Sequence, residues 1–484
     1  MKSIVFMTSL FFLPEASAAG LLVSEGQVIE LSERSAHKLD AFIAEKERVA
    51  FDAQSKEDKY SPRLFTNLGY SKSNQKPFIQ FAPVTSPTAH IETGVRKQMP
   101  HGVSGQVSLF SDQLSLPDGS VTRTTHSGAR LQLDVDLWRN FLGRLDQLER
   151  DEFRGKKHVA ELRSQMNKQQ FEMHLRQIYW SLVANHEIKK LTQAMLGVVT
   201  KQRDNAKRRM QDSVGTMADL ARREAQVATY EGRLVNLTYQ QEQLWKTLKA
   251  ELPDLHGNDL ELAPYDIIAA SQVVNACKQK ISSYAQIPAE FTTYDELSRA
   301  IEAEIEASIA ANQSRSDLDL SFFATTEYSA REDGFQGSFE EIGEEPTFMY
   351  QAGLALSMPL GAQVSSTQKI KQNRLQRLKK SQLSEIKTML ASTHAQTKKY
   401  FQLLDEVQES SLRTKKYLSE AVEESQKMYQ QARIPIDTLI NDQNALLESQ
   451  INTVNVQLKV VTEILNYLKI FPQLPCDFNH NVKG

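Results

Sequence analysis

The run Leu439–Phe471, LINDQNALLESQINTVNVQLKVVTEILNYLKIF, contains neither proline nor glycine. Its apolar positions Leu447, Ile451, Val454, Leu458, Val461, Leu465 and Leu468 alternate in steps of four and three. Such a seam repeats every seven residues and calls for a helical partner. Shifted back by about 220 residues, Val227, Tyr230, Leu234, Leu237, Leu244 and Leu248 carry the same seam within the segment from Asp219 to Leu252. The chain is therefore read as a tandem duplication of one long structural unit.

Composition agrees with long helices: glycine is low, proline modest, and Gln, Lys, Glu, Leu and Ala abundant across 484 residues. A net charge of -3 argues against a nucleic-acid partner, and clusters such as Lys369 to Lys380 alternate with apolar residues as solvated helix faces do. Residues 1–18 read as an export signal, with Lys2, an apolar core from Ile4 to Leu13, and Ala16-Ser17-Ala18 as a small-residue cleavage site. Beyond it no run approaches the roughly 18 apolar residues of a membrane helix, so the mature chain is either soluble or crosses a membrane as strands. Cys277 and Cys476 are the two cysteines. In an exported protein they are candidates for a disulfide, with two unrelated free thiols as the alternative. Ten histidines are scattered singly, and no phosphate loop, nucleophile elbow or metal cluster is visible. Catalysis, a metal and a cofactor are accordingly not expected.

The first repeat is read over residues 19–253. A short amphipathic helix covers Ser32 to Gln54, and strands cover 62–71 and 129–138, the second marked by Leu131, Leu133, Val135 and Leu137 alternating with polar residues. The intervening segment 72–128 is rich in Gly, Ser, Thr and Pro. It contains two alternating runs, Ile91 to Val95 and Val103 to Leu109, about a Pro100-His101-Gly102 turn, which read as a hairpin or a loop. A helix then covers 140–212, with a stripe that includes Phe171, Leu175, Ile178, Leu182, Ile188 and Leu191, and a return helix covers 219–252. At 1.5 Å per residue the longer one extends roughly 105 Å, far beyond an ordinary globular helix, so it needs long neighbours.

A connector over 254–294 is expected to be irregular, given Gly257, Pro264 and Pro288. The second repeat, 295–471, follows the order of the first. A short helix spans Asp295 to Ala311, strands span 316–329 and 348–358 around a polar, acidic loop from Glu327 to Glu345, a long helix spans 361–431 and a return helix 437–470. Residues 472–484 form a tail. Strands with one apolar and one polar face can sit between lipid and water only as a closed barrel. Four strands per chain, or six with the hairpin, are too few to enclose a lumen, since small barrels need about eight. Three copies with four strands each give twelve, together with twelve helical columns.

The sequence resembles the TolC-like outer-membrane efflux family over essentially the whole mature chain. The family's helix-to-helix turn is an aromatic residue, two residues, Gly, five residues, Asp or Thr before an aliphatic, then Ala, Glu or Gln. The second repeat has Tyr429, Ala432, Thr438, Leu439 and Gln443, and the first has Met210, Ser213, Asp219, Leu220, Glu224 and Ala225. The strand-to-helix joins also match, as Asp136-Leu137-Trp138-Arg139 with Gly143 and as Met358-Pro359-Leu360-Gly361, and Tyr179-Trp180 and Tyr400-Phe401 fall at equivalent points.

The resemblance implies an α+β membrane protein: a homotrimer whose twelve-stranded β-barrel in the outer-membrane lipid continues into a twelve-column α-helical barrel in the periplasm. It implies export together with a periplasmic adaptor and an inner-membrane pump. It also places Asp219 and Tyr429 where the family has a gating pair that closes the periplasmic tip, able to share a hydrogen bond worth about 0.5 to 3 kcal/mol.

Several tip positions depart from the family. Ser213 and Ala432 replace both turn glycines, with Gly215 two places later in the first turn and Pro435 added in the second. Ile434 stands at the position of a gating arginine, so a second lock is not implied. Thr438 and Asn441 occupy acidic constriction positions, and the adjacent Asp437 and Asp442 offer the negative charge instead. Two plainer readings compete. The heptads alone describe a soluble exported coiled-coil tether or adaptor, and Asp219 alone describes a helix N-terminal acid that complements the helix dipole.

Overall fold

A computed structural model describes residues 21–72, 88–114, 124–265, 267–286, 291–315, 318–358 and 363–476. The export signal, the Pro359-Leu360-Gly361 part of the second join and residues 477–484 of the tail lie outside the described residues.

In chain order the elements are β1 (Leu21–Val23), α1 (Glu25–Ser35), α2 (His37–Glu57), β2 (Arg63–Ser71), β3 (Thr88–Met99), β4 (Val103–Leu114), β5 (Thr125–Asp136), α3 (Arg144–Gln211) and α4 (Met217–Glu251). There follow β6 (Leu260–Leu262), α5 (Ile267–Ser283), α6 (Thr293–Ser314), β7 (Asp319–Glu332), α7 (Phe335–Glu341), β8 (Thr347–Ser357), α8 (Gln363–Gln430) and α9 (Ile436–Leu468). The chain divides into two compact units, and each draws on both sequence repeats because α3 and α8 run through both. One unit holds residues 1–43, 164–294 and 388–484, and the other 44–163 and 295–387.

The first unit is helical. Ser24 caps α1 through a capping box, its hydroxyl accepting from the Gln27 backbone while the Gln27 side chain accepts from the Ser24 N–H. The single short helix expected over Ser32 to Gln54 is two helices. Ala36 breaks the run in an extended conformation and is itself buried in a cluster with Leu175, Leu182, Leu248 and Leu252. Fully burying each such leucine contributes about 1.5–3 kcal/mol, so the break is compensated by packing.

Among its described residues the connector 254–294 holds regular elements, so it is not irregular throughout. Its β6 pairs in parallel with β1, Leu21 opposite Leu260, and its α5 places Val274, Cys277 and Ile281 on one stripe. That stripe packs on Val460, Ile464, Leu465 and Leu468 of α9 and on Phe401 of α8. The heptad seam of α9 is one of two buried faces. Leu447, Val461, Leu465 and Leu468 are buried, and so are Leu446, Thr453, Val456, Val460, Ile464 and Tyr467 on the adjoining stripe. A helix buried on two stripes packs between neighbours rather than against one.

The second unit is built on one antiparallel sheet in the order β2-β3-β4-β5-β7-β8. Twelve strands from three copies required four strands per chain, so that count does not hold. The segment 72–128 supplies two long strands, β3 and β4, that lie between the two strands foreseen in the first repeat. The acidic loop is also shorter than read: β7 continues to Glu332, and α7 follows, its Ser338 hydroxyl 2.7 Å from that of Ser127.

Register sorts the side chains onto two faces. Leu64, Leu68, Val95, Val107, Leu109, Leu131, Leu133, Tyr328, Phe348, Tyr350, Leu354 and Leu356 share one face, and all of them are exposed. The opposite face carries Glu92, Gln106, Ser108, Phe110, Arg130, Glu327 and Ser329, most of them buried against one another. The apolar side is outside and the polar side inside, the reverse of a soluble sheet packed on a core.

Candidate functional site

The turns that join α3 to α4 and α8 to α9 are built alike. The Ser213 N–H donates to the Met210 carbonyl at 3.1 Å and the Val214 N–H to the Arg209 carbonyl at 2.8 Å. In the second turn the Ala432 N–H donates to Tyr429 and the Arg433 N–H to Met428, both at 2.9 Å. These pairs are the two bonds of a Schellman ending, which needs a left-handed residue at its centre. Ser213 (φ 60°) and Ala432 (φ 57°) adopt that conformation. The turns thus keep a geometry suited to glycine without glycine, at about 1–2 kcal/mol each. Gly215 lies close over the helix end, where an added Cβ would sit 3.0 Å from the Met210 nitrogen.

After the first turn Thr216 caps α4, its hydroxyl accepting from the Asp219 N–H at 3.1 Å. Asp219 therefore occupies the first turn of a helix, where a carboxylate complements the dipole. After the second turn Ile436 and Leu439 are buried, whereas Thr438 and Asn441 are exposed and Ile434 is half-buried. Neither neighbouring acid is a bare charge. Asp437 pairs with Arg222 at 2.8 Å, and Asp442 accepts from the Ser425 hydroxyl.

The residue that sequence reasoning missed is Arg223. It is 1% exposed, its guanidinium donates to the Gln202 side chain at 2.5 Å and to Gln226 at 3.1 Å, and its Cζ lies 5.4 Å from the centre of the Tyr429 ring. Burial pushes the Arg223 guanidinium down from its ordinary value, against the pull of Tyr429 and Asp219. Arg223 follows Asp219 by one helical turn and is the residue that meets Tyr429; among the described residues no hydrogen bond joins Asp219 to Tyr429, the two residues read as a gating pair. In sequence it is one of two adjacent arginines, Arg222 and Arg223, and only Arg223 falls on the seam, four residues before Val227. Further contacts join the repeats here: Tyr230 donates to Asn444 at 2.6 Å, Arg233 pairs with Glu448, and Val199, Val227, Tyr230 and Leu447 form a small buried cluster.

Away from the turns, Cys277 and Cys476 form a disulfide across 199 residues, which resolves the alternative left open by the sequence. On the polar face of the sheet, Arg130 reaches Glu327 at 3.1 Å and Glu92 at 3.5 Å while stacking 4.5 Å from the Phe110 centroid. The same face borders a polar cleft of about 990 Å³ lined by Arg63, Arg96, Asp134, Asp136 and Asp319 among others. Among the described residues no helix is long and apolar enough to cross a membrane, and no cluster of metal-ligating side chains occurs.

No family model matches this chain, and no curated protein matches it. Solved structures do match in fold. CusC, described in connection with transmembrane channel formation, superposes with a TM-score of 0.67 at 10% identity, over 95% of each chain. VceC, an outer membrane protein of Vibrio cholerae, gives 0.65 at 13% identity over 92% of this chain and 95% of that one. The CmeC outer membrane channel of Campylobacter jejuni gives 0.64 at 11% identity over 93% and 85%. The chain therefore has the α+β fold of these outer-membrane channels, long helices joined to an antiparallel sheet.

Proposed function

We propose that this chain is one sector of a trimeric outer-membrane exit duct, which carries substrates across the periplasm and the outer membrane with a periplasmic adaptor and an inner-membrane pump. The observation that carries this reading is the sheet with its apolar face outward and its polar face inward, on a chain whose fold is that of outer-membrane channels. A soluble coiled-coil tether would leave that apolar face against water. The reading involves no catalysis and no cofactor.

The helix-to-helix turns form the gate. Arg223 and Tyr429 hold the two repeats together at a contact weak enough for a partner to break, about 0.5–2 kcal/mol, with Asp219 one helical turn before Arg223. Val214 and Met217 expose apolar side chains at the first turn and give an adaptor its footing.

Purification in detergent followed by single-channel recording in a planar bilayer tests both parts. A trimer that conducts, with conductance raised by Asp219→Ala combined with Tyr429→Phe, is the expected result. A monomer that stays in buffer without detergent removes the duct. Unchanged conductance in the double variant removes only the gate.

A further inference from the structure

We propose that the membrane pore is an eighteen-stranded barrel, closed by pairing β8 of each of three copies with β2 of the next. The proposal rests on the duct reading and takes its threefold copy number from it.

Every neighbouring pair in the order β2-β3-β4-β5-β7-β8 is antiparallel, so the first and last strands run in opposite directions. An even number of strands per copy makes the junction between β8 and a second copy's β2 antiparallel as well, and the pattern continues unbroken around the ring. The two edges are similar in length, 9 residues in β2 and 11 in β8. They also carry the most exposed apolar residues of the sheet, Leu64 and Tyr350, each at 78%. In a bilayer an open edge leaves its N–H and C=O groups unpaired, which lipid does not allow. Six strands are too few to close on themselves around a lumen. A second copy of this chain meets each requirement: direction, length, and an apolar face that continues across the seam.

The added hairpin is part of the wall and not a flap laid over it. β3 pairs with β4 over its whole length, from Thr88 opposite Leu114 to Met99 opposite Val103. Its turn is locked into the strand-to-helix join. The Asp136 N–H donates to the Gly102 carbonyl at 2.8 Å, a Cβ on Gly102 would meet the Asn140 carbonyl oxygen at 2.3 Å, and one on Gly143 would meet the His101 Cα at 2.6 Å. Both glycines have positive φ, 74° and 77°. Across the polar face, Glu92 of β3, Arg130 of β5 and Glu327 of β7 tie the hairpin to both of the original repeats. Because barrel diameter grows roughly in proportion to strand number, this pore is about 1.5 times as wide as a twelve-stranded one.

The two native cysteines are bonded to each other and no other cysteine exists, so introduced thiols report without ambiguity. Four double variants combine Leu64→Cys or Leu68→Cys with Leu354→Cys or Leu356→Cys. Oxidation of detergent-purified trimers is expected to give covalent dimers and trimers on denaturing gels for at least one combination, the four covering the shift in register at the seam. A control variant, Thr66→Cys with Ala129→Cys, places thiols at the same level on β2 and β5, with β3 and β4 between them in the sheet as described. It is expected to stay unbridged. A bridge within the chain in that control, or no intermolecular bridge in any combination from trimers that conduct, overturns the eighteen-stranded pore and leaves the duct standing. A monomer that needs no detergent overturns both.

Discussion

Arg223 of the first repeat lies against the ring of Tyr429 of the second, its guanidinium carbon 5.4 Å from the ring centre. A cation over a phenol away from water is worth about 0.5–2 kcal/mol, which in the proposed duct is enough to bias a gate without freezing it. One guanidinium nitrogen, Nη1, donates to both Gln202 and Gln226, while the other terminal nitrogen, Nη2, is buried without a hydrogen-bond partner among the described residues.

Arg223→Leu keeps much of the side chain's bulk and removes the charge. In the duct reading it raises the mean single-channel conductance of the resting trimer, and Tyr429→Leu does the same. The double variant is expected to gain little beyond the larger single change, giving a coupling of about 0.5–2 kcal/mol when open-state populations are converted to free energies. Additive effects would show that the two residues act separately.

Ser213 and Ala432 adopt left-handed backbone at the centre of each turn. Glycine at either position removes the steric cost but gives back part of it as unfolded-chain entropy, so a net gain of about 0.5–1 kcal/mol is expected for Ser213→Gly and for Ala432→Gly. Higher midpoints of denaturation with unchanged slope would register this. Ala432→Val, with a β-branched side chain in the left-handed region, is expected to lose stability instead. A stabilised valine variant would refute the strain argument.

Cys476 ties the end of the described chain to α5 through Cys277. Removing a native disulfide typically costs about 2–5 kcal/mol. Cys277→Ser is therefore expected to lower the melting temperature and expose the segment after Phe471 to protease, with the conductance of the proposed trimer retained. Equal protease resistance in the variant and the parent would mean that packing of Phe471 and Leu474 suffices.

At the start of α3, burial pushes the Asp146 carboxyl up, but hydrogen bonds from Lys59 at 2.7 Å and Asn140 at 2.8 Å outweigh it and hold the group below the ordinary carboxylate range. A carboxylate depressed in the folded state contributes stability that is fully present above its unfolded pKa of about 3.9. That contribution is lost as pH falls through the lower folded value. Asp146→Asn should reduce stability at pH 7 and flatten the acid limb below about pH 4. An unchanged acid limb in thermal melts against pH would remove Asp146 from the balance.

Much of this architecture is legible in the residues alone. The four-and-three spacing from Leu447 to Leu468 gives a long helix with a buried stripe, the alternation from Leu131 to Val135 gives a strand with two unlike faces, and the matching turns about Ser213 and Ala432 bring out the duplication. Each of these is a local property. It follows from 3.6 residues per turn, from two residues per pleat, or from the few ways a helix can end.

What packing alone decided lies between distant residues. Arg222 and Arg223 are chemically identical neighbours; the seam through Val227 and Tyr230 singles out Arg223, and Gln202 and Tyr429 are the partners that packing brings to it. Cys277 finds Cys476 across 199 residues because α5 packs on α9. The hairpin β3–β4 has no counterpart between β7 and β8, so the duplication did not decide whether its two alternating runs form barrel strands or a loop. Its place in the sheet depends on backbone partners such as Ile91 with Leu68 and Leu109 with Ala129, which periodicity does not name. Spacing along a chain specifies which face of an element is apolar, whereas the identity of the element that covers it is settled by long-range contacts, where register, volume and charge must be met together.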